Sequence, residues 1–287
     1  MCDVSYSQDI SAKTGLVALL GHPVSHSRSP QIQNAAFRER GLDLVYLAFD
    51  VLPDGLEAAL RGLEAVGFRG ANVTVPHKEA VLPFLDEVAP LVATVGAVNT
   101  LVYRDGTLRG HNTDVEGFLQ ALETGWRRPD EGDTCLVLGA GGAGRAVVAG
   151  LLAAGAGRVL LYNRTARRAE DLCSASVDWG EGGCETVAAA ELSEALRQAK
   201  LVVNATSIGL KDGVKSYPLC ADELTEEHVV MDLVYGSEPT PLLQEARKRG
   251  ASTIDGREML VRQAALAFEL WTGISAPVEV MRRWMRA

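Results

Sequence analysis

Residues 139–144, Gly139-Ala140-Gly141-Gly142-Ala143-Gly144, form the segment of this sequence that most directly allows chemistry. They follow the apolar run Cys135-Leu136-Val137-Leu138 and precede the alanine-rich run 146–154, which reads as strand, tight turn and helix start. Gly139 permits the turn, Gly141 leaves room for a pyrophosphate against the backbone, and Gly144 lets the helix pack close to the sheet. Amide N–H groups and the helix dipole would then face the phosphates of a dinucleotide. Sites for NAD usually carry Asp or Glu at the end of the next strand, to accept from the ribose 2′-hydroxyl. Here that place holds Leu161-Tyr162-Asn163-Arg164-Thr165, followed by Arg167 and Arg168. A guanidinium pairs with a dianionic 2′-phosphate, which a carboxylate would repel. Three arginines near a helix N-terminus also oppose its dipole, a conflict that an anionic ligand relieves. The cofactor expected from these residues is NADP(H).

A second set of polar residues sits at element ends in the first half, where α/β proteins build their sites. Gly21-His22-Pro23-Val24-Ser25-His26-Ser27-Arg28-Ser29-Pro30 opens a strand into a loop with two hydroxyls two residues apart, Ser29 being also a candidate N-cap. Asn72-Val73-Thr74-Val75-Pro76-His77-Lys78 puts polar side chains on one strand face and a lysine just beyond it. Gly96-Ala97-Val98-Asn99-Thr100 and Gly110-His111-Asn112-Thr113-Asp114 repeat the pattern. His22 and His26 have i,i+4 spacing, but Pro23 lies between them and no third ligand stands out, so no metal site is expected. His77 and His111 read as solvated loop positions.

The elements that must carry these residues alternate. Strands are expected at 16–20, 44–49 and 70–75, with helices at 30–40, 56–66, 78–85 and 90–95. Segments 98–103 and 107–111 form a hairpin about Asp105-Gly106, and a helix spans 114–124. After the polar, breaker-rich segment 125–132, which reads as a junction, strands at 134–138, 159–162, 201–204, 229–232 and 252–254 alternate with helices. A last long helix, 258–271, is apolar on most faces and should pack back against the rest. Residues up to Thr14 read as a polar tail. This alternation gives an α/β fold with largely parallel sheets, its second half doubly wound.

Bulk properties agree. The 287 residues suit two domains, and 47% hydrophobic with 23% charged residues is ordinary globular composition. A formal net charge of -9 argues against a nucleic-acid surface. No apolar stretch is long enough to span a bilayer and the N-terminus lacks a signal-peptide pattern, so no membrane partner is expected. Cys2, Cys135, Cys173, Cys184 and Cys220 are widely spaced with no C-x-x-C pair, giving no disulfide framework and suiting the reducing cytoplasm. The sequence does not fix the oligomeric state; a homodimer is compatible with it.

Together these segments resemble the shikimate dehydrogenase family, from Gly21 to about Gly273. The resemblance rests on Ser27-Arg28-Ser29-Pro30, the Asn72 to Lys78 segment, Gly96 to Thr100, Asn112-Thr113-Asp114, the glycine turn and Asn163-Arg164-Thr165. It continues through Asn204-Ala205-Thr206-Ser207, Asp232-Leu233-Val234-Tyr235 and Asp255-Gly256 through Met259 to Gln263. It implies two α/β domains flanking a cleft: a substrate-binding domain with a mostly parallel sheet, residues 1–113 plus the C-terminal helices 257–287, and a Rossmann NADP-binding domain, 114–256. Ser27 and Ser29 would hold a substrate carboxylate with Tyr235 nearby, and Thr74, Lys78, Asn99, Asp114 and Gln263 would reach ring hydroxyls. Asn163, Arg164, Thr165 and Arg168 would surround the 2′-phosphate, with Gly139 to Gly144, Thr206 and Gly256 along the rest of the cofactor. Val115 stands where the family commonly has glycine.

The activity so implied is reduction of 3-dehydroshikimate to shikimate. Hydride addition to a ketone builds negative charge on oxygen, which must gain a proton. Lys78 can donate that proton and Asp114 can orient it, the two acting as a coupled catalytic pair. A quinate/shikimate dehydrogenase of broader substrate or NAD use shares most of these residues, but Asn163-Arg164-Thr165 counts against NAD. A catalytically silent NADP-sensing module would be marked by loss of Lys78 or Asp114, and both are present.

Overall fold

Short aliphatic runs closed by glycine or proline become the parallel strands of two sheets, and the alanine- and leucine-rich stretches between them become helices. The computed structural model describes residues 10–209, 217–236 and 238–286, so most of the expected tail lies outside the described residues. In chain order come β1 (Gly15–Gly21), α1 (Ser29–Glu39), β2 (Leu44–Asp50), α2 (Leu56–Ala65), β3 (Gly70–Val73), α3 (His77–Ala80) and β4 (Glu87–Val88). Next are α4 (Pro90–Val95), β5 (Thr100–Arg104), β6 (Thr107–His111), α5 (Asp114–Leu122), β7 (Thr134–Leu138), α6 (Gly142–Ala153), β8 (Arg158–Tyr162) and α7 (Ala166–Ala175). The rest are β9 (Gly183–Thr186), α8 (Leu192–Gln198), β10 (Leu201–Asn204), β11 (Val229–Asp232), α9 (Pro241–Lys248), β12 (Ser252–Asp255), α10 (Gly256–Thr272) and α11 (Val278–Arg286). Two units divide the chain, one of Met1–Ala89, Val98–His111 and Ala264–Ala287, the other of Pro90–Ala97 and Asn112–Gln263. The expected two-domain α/β fold is observed.

In the first unit the sheet order is β2-β1-β3-β5-β6-β4. β1 pairs in parallel with β2 and β3, while β5 is antiparallel to β3 and to β6. The β5–β6 turn is the expected Asp105-Gly106, both residues at positive φ (54° and 79°). The C-terminal part of α10 completes this core: Phe268 stacks on Phe37 at 5.5 Å, and Trp271 lies 6.0 Å from Tyr46. Fully burying each such ring stabilises the unit by about 2–3 kcal/mol. Trp271 Nε1 donates to the Leu101 carbonyl at 2.9 Å, and Gln33 Nε2 to that of Ala264 at 2.9 Å. α11 packs along α1.

In the second unit the order is β12-β11-β10-β7-β8-β9, all parallel, the doubly wound arrangement expected from the sequence. The breaker-rich segment 125–132 lies inside this unit, where Arg127 forks onto Asp133 at 2.7 and 3.0 Å.

Several expectations need correction. β9 was not expected, because it lies among Gly180, Gly182 and Gly183 and three of its four residues are exposed, leaving no apolar alternation to see. Its presence brings Cys184 beside Cys173 in the last turn of α7, Cα atoms 5.1 Å apart, and the two form a disulfide that the sequence spacing had argued against. The helix expected over 78–85 breaks into α3 and a 3-10 turn, Leu82–Phe84, because Pro83 has no N–H to continue it. α1 starts at Ser29 itself, with Arg28 at the N-cap position, so Ser29 is not the cap.

Gly70 marks a tight point of the first core. A Cβ there would stand 2.3 Å from the Leu101 carbonyl oxygen and 2.5 Å from Trp271 Nε1. Gly70→Ala is therefore expected to lower the unfolding free energy by about 1–3 kcal/mol, the usual cost of overpacking. Denaturant unfolding with an unchanged midpoint would contradict this packing.

Candidate functional site

In the first unit the candidate residues share one end of the sheet. Because β1 and β3 are parallel, their C-terminal ends coincide, and because β5 is antiparallel its start lies beside them. Thr74 follows β3 and donates its N–H to Leu20, while His22 donates to Val75 and Val73 to Asn99, all at 2.9 Å. The sequence-predicted Ser27, Thr74 and Asn99 thus lie on loops leaving this end, Ser29 opens α1 and Lys78 lies in the short α3. Gly21 is demanded here, because a Cβ would stand 2.3 Å from Thr74 Cγ2. Lys78 is half-buried, and its carbonyl accepts from Val98 N–H at 2.8 Å.

Behind this rim lies a buried polar layer in which Asn99, expected to reach a ring hydroxyl, is joined to Asn72, Thr100 and Tyr46, to which the sequence had given no individual role. Asn72 donates through Nδ2 to the Asn99 carbonyl at 3.0 Å and to Thr100 Oγ1 at 3.1 Å. Its Oδ1 accepts from Tyr46 OH at 2.8 Å, and Thr100 Oγ1 donates to Asn99 Oδ1 at 3.0 Å. Burial pushes the Tyr46 phenol far above its usual range, opposed by a hydrogen bond with Ser29. The available signal was an asparagine amid β-forming aliphatics, since a polar residue in an apolar run needs partners. Ser27 Oγ accepts from Ser29 N–H at 3.2 Å, fixing the spacing of the two hydroxyls.

His77 and His111, expected to be solvated, are not. His77 is fully buried, because the turn after β3 folds it under the sheet end toward Val51. His111 closes β6 and is half-buried, burial and then the Arg109 charge holding its pKa below the usual imidazole value. His22 Nδ1 lies 2.6 Å from Asp50 Oδ1, a pair formed at the matched ends of β1 and β2.

In the second unit Asp114 and Gln263 belong to two closely packed helices. Asn112 Oδ1 accepts from the N–H groups of Asp114 (3.0 Å) and Val115 (3.3 Å), capping α5 and holding Asp114 at its N-terminus. Gly117, one turn on, lets α10 approach: a Cβ there would stand 2.8 Å from both N and Cβ of Gln263. Val115, the departure from the family pattern, is buried in the apolar cluster under α5 and α6. Tyr235 follows a loop braced by the fully buried Asp232, which accepts from Thr240 Oγ1 (2.6 Å), Asn204 Nδ2 (2.7 Å) and Val234 N–H (3.0 Å). Burial raises the Asp232 carboxyl pKa and these donors oppose the rise.

The glycine turn fits a dinucleotide. Gly139 has φ 110°, a Cβ on Gly144 would strike the Gly139 carbonyl oxygen at 1.9 Å, and a Cβ on Gly141 would meet nothing within 4 Å. Ala140 and Gly141 lead into α6, whose first residues are Gly142 and Ala143, so its N-terminus opens at the turn. Asn163 clamps the turn, accepting from Ala140 N–H at 3.1 Å and donating to the Thr165 carbonyl at 2.9 Å. Arg167 is drawn aside onto Asp171 at 3.0 Å. Arg164 and Arg168 are exposed and form no ion pair among the described residues, leaving two guanidiniums beside the next strand end for an added phosphate. Thr206 packs its methyl near Gly139 and donates its hydroxyl to Asn204 at 2.7 Å, and Gly256 sits where a Cβ would meet the Leu233 carbonyl at 2.5 Å.

Comparison with known proteins follows the same division. Residues 19–101 match the shikimate dehydrogenase substrate binding domain, 129–211 the shikimate / quinate 5-dehydrogenase family, and 256–285 the shikimate 5'-dehydrogenase C-terminal domain. The chain is 50% identical to the shikimate dehydrogenase (NADP(+)) of Moorella thermoacetica, covering 96% of this chain and 94% of that one. It is similar to the shikimate 5-dehydrogenase of Thermus thermophilus crystallised with NADP(H) and shikimate, with TM-score 0.84, 41% identity, and 95% and 98% coverage of the two chains. It is also similar to a quinate dehydrogenase from Corynebacterium glutamicum in complex with NAD, with TM-score 0.87, 34% identity, and 94% and 98% coverage.

The lowered pKa of His111 sets a pH dependence. A base whose folded pKa is depressed contributes stability above its unfolded value, near 6.5, that is lost as pH falls through the folded value. His111→Gln should therefore lose less stability than the parent between about pH 7.5 and pH 5. Parallel losses in denaturant melts across that window would show that the imidazole is not the cause.

Proposed function

Because the chain belongs to the shikimate dehydrogenase family, we propose that it catalyses the reversible NADP-dependent reduction of 3-dehydroshikimate to shikimate, a step toward chorismate and the aromatic amino acids. The observation that carries this reading is near-full-length similarity to proteins named shikimate dehydrogenase (NADP(+)). The substrate role is assigned to residues 1–113 with 257–287, and the NADP role to 114–256.

When bound, NADPH supplies the hydride that reduces the ring ketone. Ser27 and Ser29 present spaced hydroxyls for the substrate carboxylate, with Tyr235 assisting. Thr74, Asn99 and Gln263 orient the ring hydroxyls. Lys78 gives a proton to the ketone oxygen as negative charge develops there and recovers it in the reverse direction. Asp114, held at a helix N-terminus that favours its charge, orients the reacting hydroxyl. The amides of the glycine turn receive the pyrophosphate, Arg164 and Arg168 with Asn163 and Thr165 the 2′-phosphate, and Thr206 and Gly256 the region toward the nicotinamide. No helix of the described residues is long and apolar enough to cross a membrane; we assign the protein to the cytoplasm and take a homodimer as its assembly, to be read by sedimentation.

Purified protein should reduce NADP⁺ rapidly with shikimate and only weakly with quinate or with NAD⁺ as the replacement. Comparable rates with quinate or NAD⁺ would move the chain to the broader branch, and silence in every combination would favour the non-catalytic reading. Lys78→Ala should lower kcat by about 10²–10⁴-fold, the range for general acid–base catalysis, with NADP⁺ binding retained; turnover like the parent's would remove Lys78 from the mechanism. Arg164→Ala should weaken NADP⁺ far more than NAD⁺ in fluorescence titrations, by about tenfold or more for a lost charge-assisted bond. Equal losses for the two cofactors would overturn the 2′-phosphate assignment.

A further inference from the structure

We infer that His77 is a positioning residue for Lys78: its buried imidazole ties the turn that carries the lysine to the chain leaving β2. The inference rests on the assignment of proton transfer to Lys78.

His77 has no exposed surface, and its Nε2 lies 2.7 Å from the carbonyl oxygen of Val51. A carbonyl only accepts, so Nε2 carries the proton and donates it. Nδ1 is buried with no hydrogen-bond partner among the described residues. A buried polar atom without a partner is costly, and an apolar side chain of similar size would fill the space without it. What the imidazole adds over such a side chain is the one bond to Val51.

That bond adds a tie the base of the turn lacks: Thr74 N–H to Leu20 and His22 N–H to Val75, both 2.9 Å, hold the segment before Pro76 to β1 and its loop, whereas His77 reaches the chain leaving β2 from the turn itself. α3 has only four residues, between Pro76 and the 3-10 turn at Leu82–Phe84. Its local ties are His77 N–H to Thr74 and Val81 N–H to His77, both 2.9 Å, with Val98 N–H to Lys78 at 2.8 Å. None of these reaches β2. Val51 itself donates to the Gly21 carbonyl at 2.9 Å, and Gly21 begins the loop bearing Ser27 and Ser29. Through His77 and Val51 the lysine turn is therefore referenced to the loop assigned to the substrate carboxylate. A shift of about 1 Å between a catalytic group and its substrate can cost about 100-fold in rate.

The test uses the full chain, with His77→Met to fill the space without a donor and His77→Gln to place an amide N–H near the former Nε2. Steady-state oxidation of shikimate by NADP⁺ is measured for both, for Lys78→Ala and for the double variant His77→Met/Lys78→Ala. The expected result is a kcat at least about tenfold lower in His77→Met, KM for NADP⁺ unchanged, and kcat within about threefold of the parent in His77→Gln. If His77 acts through Lys78, the double variant should be no slower than Lys78→Ala alone. Parent-like kcat in His77→Met, equal impairment in Met and Gln variants, or additive losses in the double variant would each overturn the inference. Full turnover in Lys78→Ala would instead sink the lysine assignment. Should His77→Met fail to fold, His77→Phe serves as the donor-free variant with the same expected outcomes.

Discussion

The interaction on which the first unit's site depends is the buried amide of Asn72. This one side chain, on β3, binds Tyr46, Asn99 and Thr100 at once. Each of these groups is shut away from water, so loss of the amide would leave partners unsatisfied at about 1–3 kcal/mol apiece. The same side chain therefore selects the register of β3 against β5 and fixes where Asn99 emerges. With Tyr46 also bonded to Ser29, the network extends to the start of α1. Loops that would otherwise be independent are set relative to one another by a single enclosed polar layer.

The second unit relies on a different constraint, the room that glycine leaves. Gly144 lies almost against the Gly139 carbonyl, Gly117 admits the backbone of Gln263, and Gly256 rests on the carbonyls of Asp232 and Leu233. Close backbone approach, rather than side-chain fit, places the cofactor turn and both flanking loops. Asp232 then rigidifies the loop before Tyr235 with donors from three directions. Charge is managed as sparingly: Arg167 is neutralised along its own helix, while Arg164 and Arg168 are not.

How much of this could be read from the residues followed from how local the cause was. The glycine turn, the Asp105-Gly106 hairpin and the aliphatic strands declare themselves because turn chemistry and hydrophobic runs act over a few residues. β9 did not, because an exposed edge strand needs no apolar pattern, and with it went the approach of Cys173 to Cys184. His77 was misread for a related reason: burial of a histidine after Pro76 is decided by the chain leaving β2, which lies 26 residues away in sequence. Ser29 was misread as a cap because α1 begins one residue earlier than the Ser-Pro pattern implies, with Arg28 at the N-cap position.

The two units differ in how their residues are distributed along the chain. Apart from Pro90–Ala97, the second is one continuous stretch, Asn112–Gln263, whereas the first is assembled from Met1–Ala89, Val98–His111 and Ala264–Ala287. During synthesis the second unit can close its core while the last helices are still being made. The first cannot, since Phe268, Trp271 and α11 follow the second unit along the chain and Phe37, Tyr46 and Leu101 wait for them. The residues of the first unit are thus separated by nearly the whole of the second, and until the later ones are made the apolar surface that Phe268 and Trp271 cover stays open to chaperones and to aggregation.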